Sequence, residues 1–245
     1  MTAQIIIKQL RKLGDPECAR HSARYFKTGS GEYGEGDRFL GIRVPEIRVQ
    51  VKNFESISLT EIQILLMSEF HEVRLFALLL LVRKFNKGDQ QVKFAIYDMY
   101  LNNTRRINNW DLVDSSASQI VGSYLADRDK QLLYKLAKSS ILWERRIAII
   151  ATFQFIRDNH FEESLKLARQ LMTDKEDLIH KAVGWMLREI GKRDEEVERN
   201  FLQHHYKNMP RTMLRYAIER FPEQIRKKYL SGDVPVMRQG CAEVV

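Results

Sequence analysis

Cysteine is nearly absent. Of 245 residues only Cys18 and Cys241 carry a thiol, near opposite ends and in no CxxC or Cys/His cluster. That excludes a disulfide framework and a zinc site, and two lone thiols fit a reducing compartment. Proline is scarce, with five residues, and glycine numbers twelve. So few chain breakers argue for long helices with short connections and against a many-stranded β fold. Long apolar runs are missing too. The run through Phe76 to Val82 falls far short of the roughly 20 residues that cross a bilayer. No secretory leader is visible: Ile5, Ile6 and Ile7 are followed by Lys8, Arg11 and Lys12, the pattern of an amphipathic helix. With nothing directing secretion, Asn102-Asn103-Thr104 reads as an accidental glycosylation sequon, and the expected location is the cytoplasm.

What is present begins with charge. Forty lysines and arginines against 32 acids give +8 and a pI near 9.4. A moderate basic excess suits a polyanionic partner, nucleic acid or an anionic membrane surface, though a protein can also be basic with no such partner. A chain of this length buries about 70–75% of its unfolded surface and needs no staple to fold.

Along the chain, residues 1–26 read as one or two helices interrupted at Gly14-Asp15-Pro16, with Asp15 as N-cap and Pro16 in the first turn. Residues 27–38 hold four glycines and form a loop. The loop contains a literal GxGxxG at Gly29, Gly31 and Gly34. No strand precedes it, and Glu32, Glu35 and Asp37 crowd it, so a dinucleotide site is rejected in favour of a mobile loop beside a binding surface. From residue 46 onward the apolar spacing is helical. Ser58 or Thr60 caps a helix over 61–68, and further helices are predicted over 75–85, 94–101, 112–125, 132–137, 146–156, 162–172, 178–190, 197–204 and 212–221. The segment from Ser231 lacks periodicity and is expected to be a disordered tail after a single domain over 1–230.

The helical segments repeat. Arg74, Trp110, Arg146 and Lys181 are separated by 36, 36 and 35 residues, and another copy fits around Arg215. Such a period predicts an all-α solenoid of helix pairs, a superhelix whose second helices line a concave basic groove. Trp110 and Asp114 stand four apart and share a helix face; Trp143 with Arg146, and Lys181 with Trp185 and Arg188, recur in the next two repeats. Each has a plainer reading. Trp143 suits the core, Asp114 suits an N-terminal capping arrangement with Asp111, and Arg146 suits a solvated face. The recurrence of tryptophan, carboxylate and arginine at matching phase favours a site.

Four strings carry a resemblance: Phe-Leu-Gly-Ile-Arg-Val-Pro (39–45), Trp-Asp-Leu-Val-Asp (110–114), Trp-Glu-Arg-Arg-Ile-Ala (143–148) and Lys-Ala-Val-Gly-Trp-Met-Leu-Arg-Glu (181–189). In this order and spacing they resemble the AlkD-like DNA alkylation-repair family, from about residue 20 to about residue 221. The resemblance implies a superhelix of HEAT-like repeats. Active members of the family hydrolyse the N-glycosidic bond of N3- and N7-alkylated purines in duplex DNA. It implies Asp114, Trp110 and Trp185 as the catalytic set and Arg146 as a groove arginine. The family's best-studied form carries glutamine where this sequence has Arg43.

An alkylated purine is already cationic and leaves without a general acid. One carboxylate beside the sugar can stabilise the developing oxocarbenium charge and place a water. Asp114 fits that task, with Trp110 and Trp185 flanking sugar and lesion through their ring faces. Arg146 and Lys181 would hold phosphates, with Arg43, Arg145, Arg188 and Arg215 as further contacts to duplex DNA. The expectation is a monomeric glycosylase of base excision repair that needs no metal or cofactor. The alternatives are a non-catalytic DNA-structure binder on the same scaffold and a protein–protein scaffold.

Overall fold

The computed structural model describes residues 2–234. It is all-α, as the spacing predicts; among these residues the β structure is one isolated bridge between Arg38 and Phe70. No helix is long and apolar enough to cross a membrane. The chain clusters into two compact units that divide between Gln154 and Phe155.

The first unit holds α1 (Ala3–Lys12), α2 (Pro16–Tyr25), α3 (Val44–Asn53), α4 (Leu59–Leu66), α5 (His71–Lys87), α6 (Gln90–Asn102), α7 (Trp110–Asp114), α8 (Ser123–Leu125), α9 (Gln131–Leu136) and α10 (Leu142–Ala151). The short α11 (Phe153–Arg157) spans the division. Asp15 caps α2 by accepting from the Cys18 amide at 2.7 Å, with Pro16 at N1, as the sequence predicts. Ser58, not Thr60, caps α4. The run through Phe76 to Val82 is explained by α5, which lies between α3, α4 and α6 and buries Phe76, Leu78, Leu80 and Leu81 completely. A helix covered on several sides has no polar stripe to show.

Two expectations change here. The helix predicted over 112–125 is broken: α7 ends at Asp114, and a π turn over Ser118–Gly122 precedes α8. The serines explain it, because Ser116 Oγ donates to the Leu112 carbonyl at 2.5 Å and Ser115 Oγ to the same carbonyl at 3.3 Å, competing with the α ladder. The glycine loop is also tied down, although its composition suggested mobility. Gly34 packs so closely that a Cβ would meet the Phe26 carbonyl at 2.4 Å, and Asp37 is buried in an ion-pair cluster.

The second unit holds α12 (Glu162–Gln170), α13 (Asp177–Gly191), α14 (Glu195–His205), α15 (Arg211–Ala217) and α16 (Glu223–Ser231). α13 is its centre and packs on α12, α14 and α15. Ile179, Ala182, Val183, Met186, Leu187 and Ile190 form its buried stripe. The tail expected from Ser231 starts one residue early: Ser231 still belongs to α16, Gly232 closes the helix at φ +88°, and residues 235–245, with Cys241, lie outside the described residues.

The repeat register holds at four positions. Arg74, Arg146, Lys181 and Arg215 fall three or four residues into α5, α10, α13 and α15. Trp110 instead opens α7.

Candidate active site

Asp114 is the last residue of α7, so the capping reading of that acid fails. The N-cap is Asn109, whose side chain accepts from the Trp110 amide at 2.9 Å. Asp114 faces α10. Arg146 Nε donates to Oδ1 at 2.9 Å and Nη2 to Oδ2 at 2.8 Å, a bidentate fork. The Arg146 side chain is 6% exposed and that of Asp114 is 18% exposed. The carboxylate thus stands at the boundary of the core, with its cation behind it. Burial pushes its pKa above the ordinary aspartate value. The Arg146 charge and bonds oppose this, and the neighbouring Asp111 charge adds to it.

Trp110 is half-buried. Its ring stacks on Phe26 at 5.2 Å and meets Tyr25 edge-on at 6.0 Å, and Tyr25 is 58% exposed. Trp143 is core, 7% exposed, with Tyr33 of the glycine loop edge-on at 6.0 Å. Arg43 is exposed and lines a cleft of about 850 Å3 together with Phe26, Phe39, His71 and Asp111. Arg145 is half-buried and donates to the Ser139 carbonyl at 3.0 Å.

Behind α7 lies a cluster that the sequence reading did not find. His71 at the start of α5 bridges two carboxylates: Nδ1 to Asp37 Oδ2 and Nε2 to Asp111 Oδ2, both at 2.8 Å. Arg74 Nη2 donates to Asp37 Oδ1 at 2.5 Å. His71, Arg74 and Asp37 are buried, with side chains 2%, 4% and 1% exposed. Burial favours neutral His71, but bonds and charge from Asp111 and Asp37 outweigh it and raise the pKa to about 9. Burial likewise pushes Asp37 up, and His71 and Arg74 more than reverse that, holding it below the ordinary value. Glu72, one residue on, accepts from the backbone amides of Leu40, Gly41 and Ile42 and anchors the segment after the loop. Gly41 is required there, at φ +83° and with a Cβ that would meet the Asp15 carbonyl at 2.1 Å. The available signal was positional: a histidine and an arginine three apart opening the helix with the longest apolar run, with an acid at the end of a glycine loop.

In the second unit, Trp185 is half-buried, and its Nε1 donates to Glu189 at 3.0 Å, where Lys192 also binds at 2.5 Å. Lys181 pairs with Asp177 at 2.8 Å, and Arg188 pairs with Glu219. Arg215 is exposed. No group of three or more metal-binding side chains is gathered among the described residues.

A family model described as "DNA alkylation repair enzyme" matches residues 6–221. A solved structure, "Predicted DNA alkylation repair enzyme from Enterococcus faecalis", superposes with a TM-score of 0.66 at 18% identity, over 86% of this chain and 97% of that one. A Streptococcus mutans protein, smu.31, gives a TM-score of 0.47 at 20% identity, over 82% and 96%. No curated protein matches the chain.

Proposed function

Since the chain belongs to the DNA alkylation repair enzyme family, we propose that it is a monofunctional DNA glycosylase that hydrolyses the N-glycosidic bond of N3- and N7-alkylated purines in duplex DNA. The observation that carries this reading is the Asp114 carboxylate. It is 18% exposed, held at both oxygens by a buried arginine, and four residues from a half-buried tryptophan on the same short helix.

The chemistry needs little else. The alkylated base carries a positive charge and departs with the electrons of the C1′–N bond, becoming neutral. The charge passes to the sugar. A carboxylate fixed in a site of low polarity stabilises that cation more than water does, because it need not reorganise. Its free lone pairs can orient a water toward C1′; the water oxygen forms the new bond and its proton leaves through the carboxylate. The ring face of Trp110 adds attraction for the cationic sugar or base, and Trp185 is proposed as a second aromatic contact to the DNA.

Arg146 takes a role different from phosphate binding. With two N–H groups on Asp114 and 5% exposure, it is proposed to aim the carboxylate and favour its ionised form. Phosphate contacts then fall to Arg43, Arg145 and, in the second unit, Lys181, Arg188 and Arg215. These position the duplex without reading its sequence. We retain the expectation of one functional domain over 1–230, acting as a monomer.

The test is release of 7-methylguanine or 3-methyladenine from methylated duplex by the purified protein. Asp114→Asn is expected to abolish release and keep most of the DNA affinity. Release by that variant at the native rate would overturn the assignment. Salt-sensitive duplex binding with no base release by the native protein would leave a DNA-structure binder instead.

A further inference from the structure

α7 has five residues and three of them matter: Trp110, Asp111 and Asp114. A helix that short has no stability of its own, so its placement is set by what holds it. Arg146 holds its last residue. His71 holds Asp111, and through its other nitrogen ties it to Asp37 at the end of the glycine loop. The same imidazole lies against the Phe39 ring at 4.6 Å and the Phe26 ring at 5.0 Å, and Phe26 in turn stacks on Trp110. His71 therefore touches Phe26, on which Trp110 stacks, and Asp111, which shares α7 with Asp114.

We propose that His71 is a positioning residue for Asp114: its imidazolium clamps Asp111 to Asp37, fixes α7, and offsets part of the Asp111 charge that faces the Asp114 carboxylate. This rests on the reading of Asp114 as the reacting acid. The chemistry is that of a hydrogen-bond count. Both ring nitrogens face carboxylate oxygens at 2.8 Å, and only the doubly protonated ring donates to both. A neutral ring gives up one bond and leaves the Asp111 charge uncompensated.

The charged surroundings are defined. His71 faces Asp37 from the loop and Asp111 from α7, with Arg74 and Glu72 on its own helix α5. Asp114 faces Arg146 from α10, Asp111 from α7 and the Tyr100 phenol from α6. Asp111 is thus the shared member, bonded to His71 and repelling Asp114.

Three measurements test this. Ring 15N shifts of the native protein should show both His71 nitrogens protonated at pH 7.5, with loss of a proton near pH 9; a neutral ring at pH 7.5 overturns the proposal. In base release, His71→Gln should move the acid limb of the pH–kcat profile upward by about one unit with KM for methylated duplex unchanged. Adding Asp111→Asn should return the limb. An acid limb unmoved in His71→Gln, or not returned by the second change, overturns it. Should His71→Gln fail to fold, Asp111→Asn is read at the imidazole instead: with one carboxylate partner gone the ring should lose its proton well below pH 9, and an unmoved ring titration overturns the clamp. The 13C titration of the Asp114 carboxyl carbon reads the same shifts in free protein. If the native protein releases no base, the glycosylase reading fails, and the carbon titration still decides the proposal on His71.

Discussion

Two arginine–carboxylate centres sit a few residues from each other's supports in the first unit, and their acids shift in opposite directions. Asp37 has two cationic partners, Arg74 and His71, and its pKa is held low. Asp114 has one, Arg146, together with a like charge from Asp111, and its pKa is raised. Both are desolvated and both pair with a nearly buried arginine. The difference is the balance of charge around each. The first centre resembles a structural rivet, with its acid 1% exposed and both oxygens engaged by separate cations. The second keeps an acid 18% exposed with a single cation behind it. A carboxylate so placed is ready to respond to a new positive charge, which is what a glycosidic transition state brings.

The largest expected effect falls on that second centre. Asp114→Asn should reduce base release about a thousandfold or more, roughly 4 kcal/mol of barrier, while circular dichroism remains native. Asp37→Ala should do the converse. It strands two buried cations and should cost about 3–5 kcal/mol of stability in urea titration, with a much smaller change in kcat for the fraction still folded. Equal catalytic losses in the two variants would erase the distinction between rivet and reactive acid.

A pH titration of stability sharpens the comparison through sign. His71 has a folded pKa raised to about 9. Its contribution, on the order of 3 kcal/mol, is fully present below pH 6.5 and is lost as pH rises through 9. Asp37 is depressed, so its contribution is present above the ordinary aspartate pKa and lost as pH falls through its folded value. Asp114, raised, works against stability as pH rises through its window. His71→Gln should flatten the alkaline fall; an unchanged fall near pH 9 would assign it elsewhere. The smallest effect is expected at the loop edge. Tyr33→Ala removes the edge-on contact with Trp143 and should lower stability by about 1 kcal/mol, measurable as a shift in the urea midpoint at constant slope.

Much of this was legible in the sequence, for identifiable reasons. Periodicity located α13 because it buries a long stripe, a long apolar run located α5, and Asp15-Pro16 marked a helix start because its cap is local. Trp110 and Asp114 stood out by spacing, and the structure keeps them on one helix. Two things were not legible. The break after Asp114 depends on serine hydroxyls bonding backwards to the Leu112 carbonyl, which spacing of apolar residues does not register. The cluster of Asp37, Arg74, His71 and Asp111 joins residues 34 to 40 positions apart, and no local pattern reports such distances. Repeat phase and the family resemblance mark Arg146 as a groove arginine; its burial follows from the packing of α10 against α7, which the spacing does not register.

The brevity of α7 has a thermal consequence. An element of about one and a half turns, held by the Arg146 fork at Asp114 and by His71 at Asp111, is expected to open as a small cooperative patch once those ion pairs loosen. Under the role proposed for Asp114, catalytic half-life on heating is expected to follow those two fastenings, with activity lost below the melting point of the whole chain.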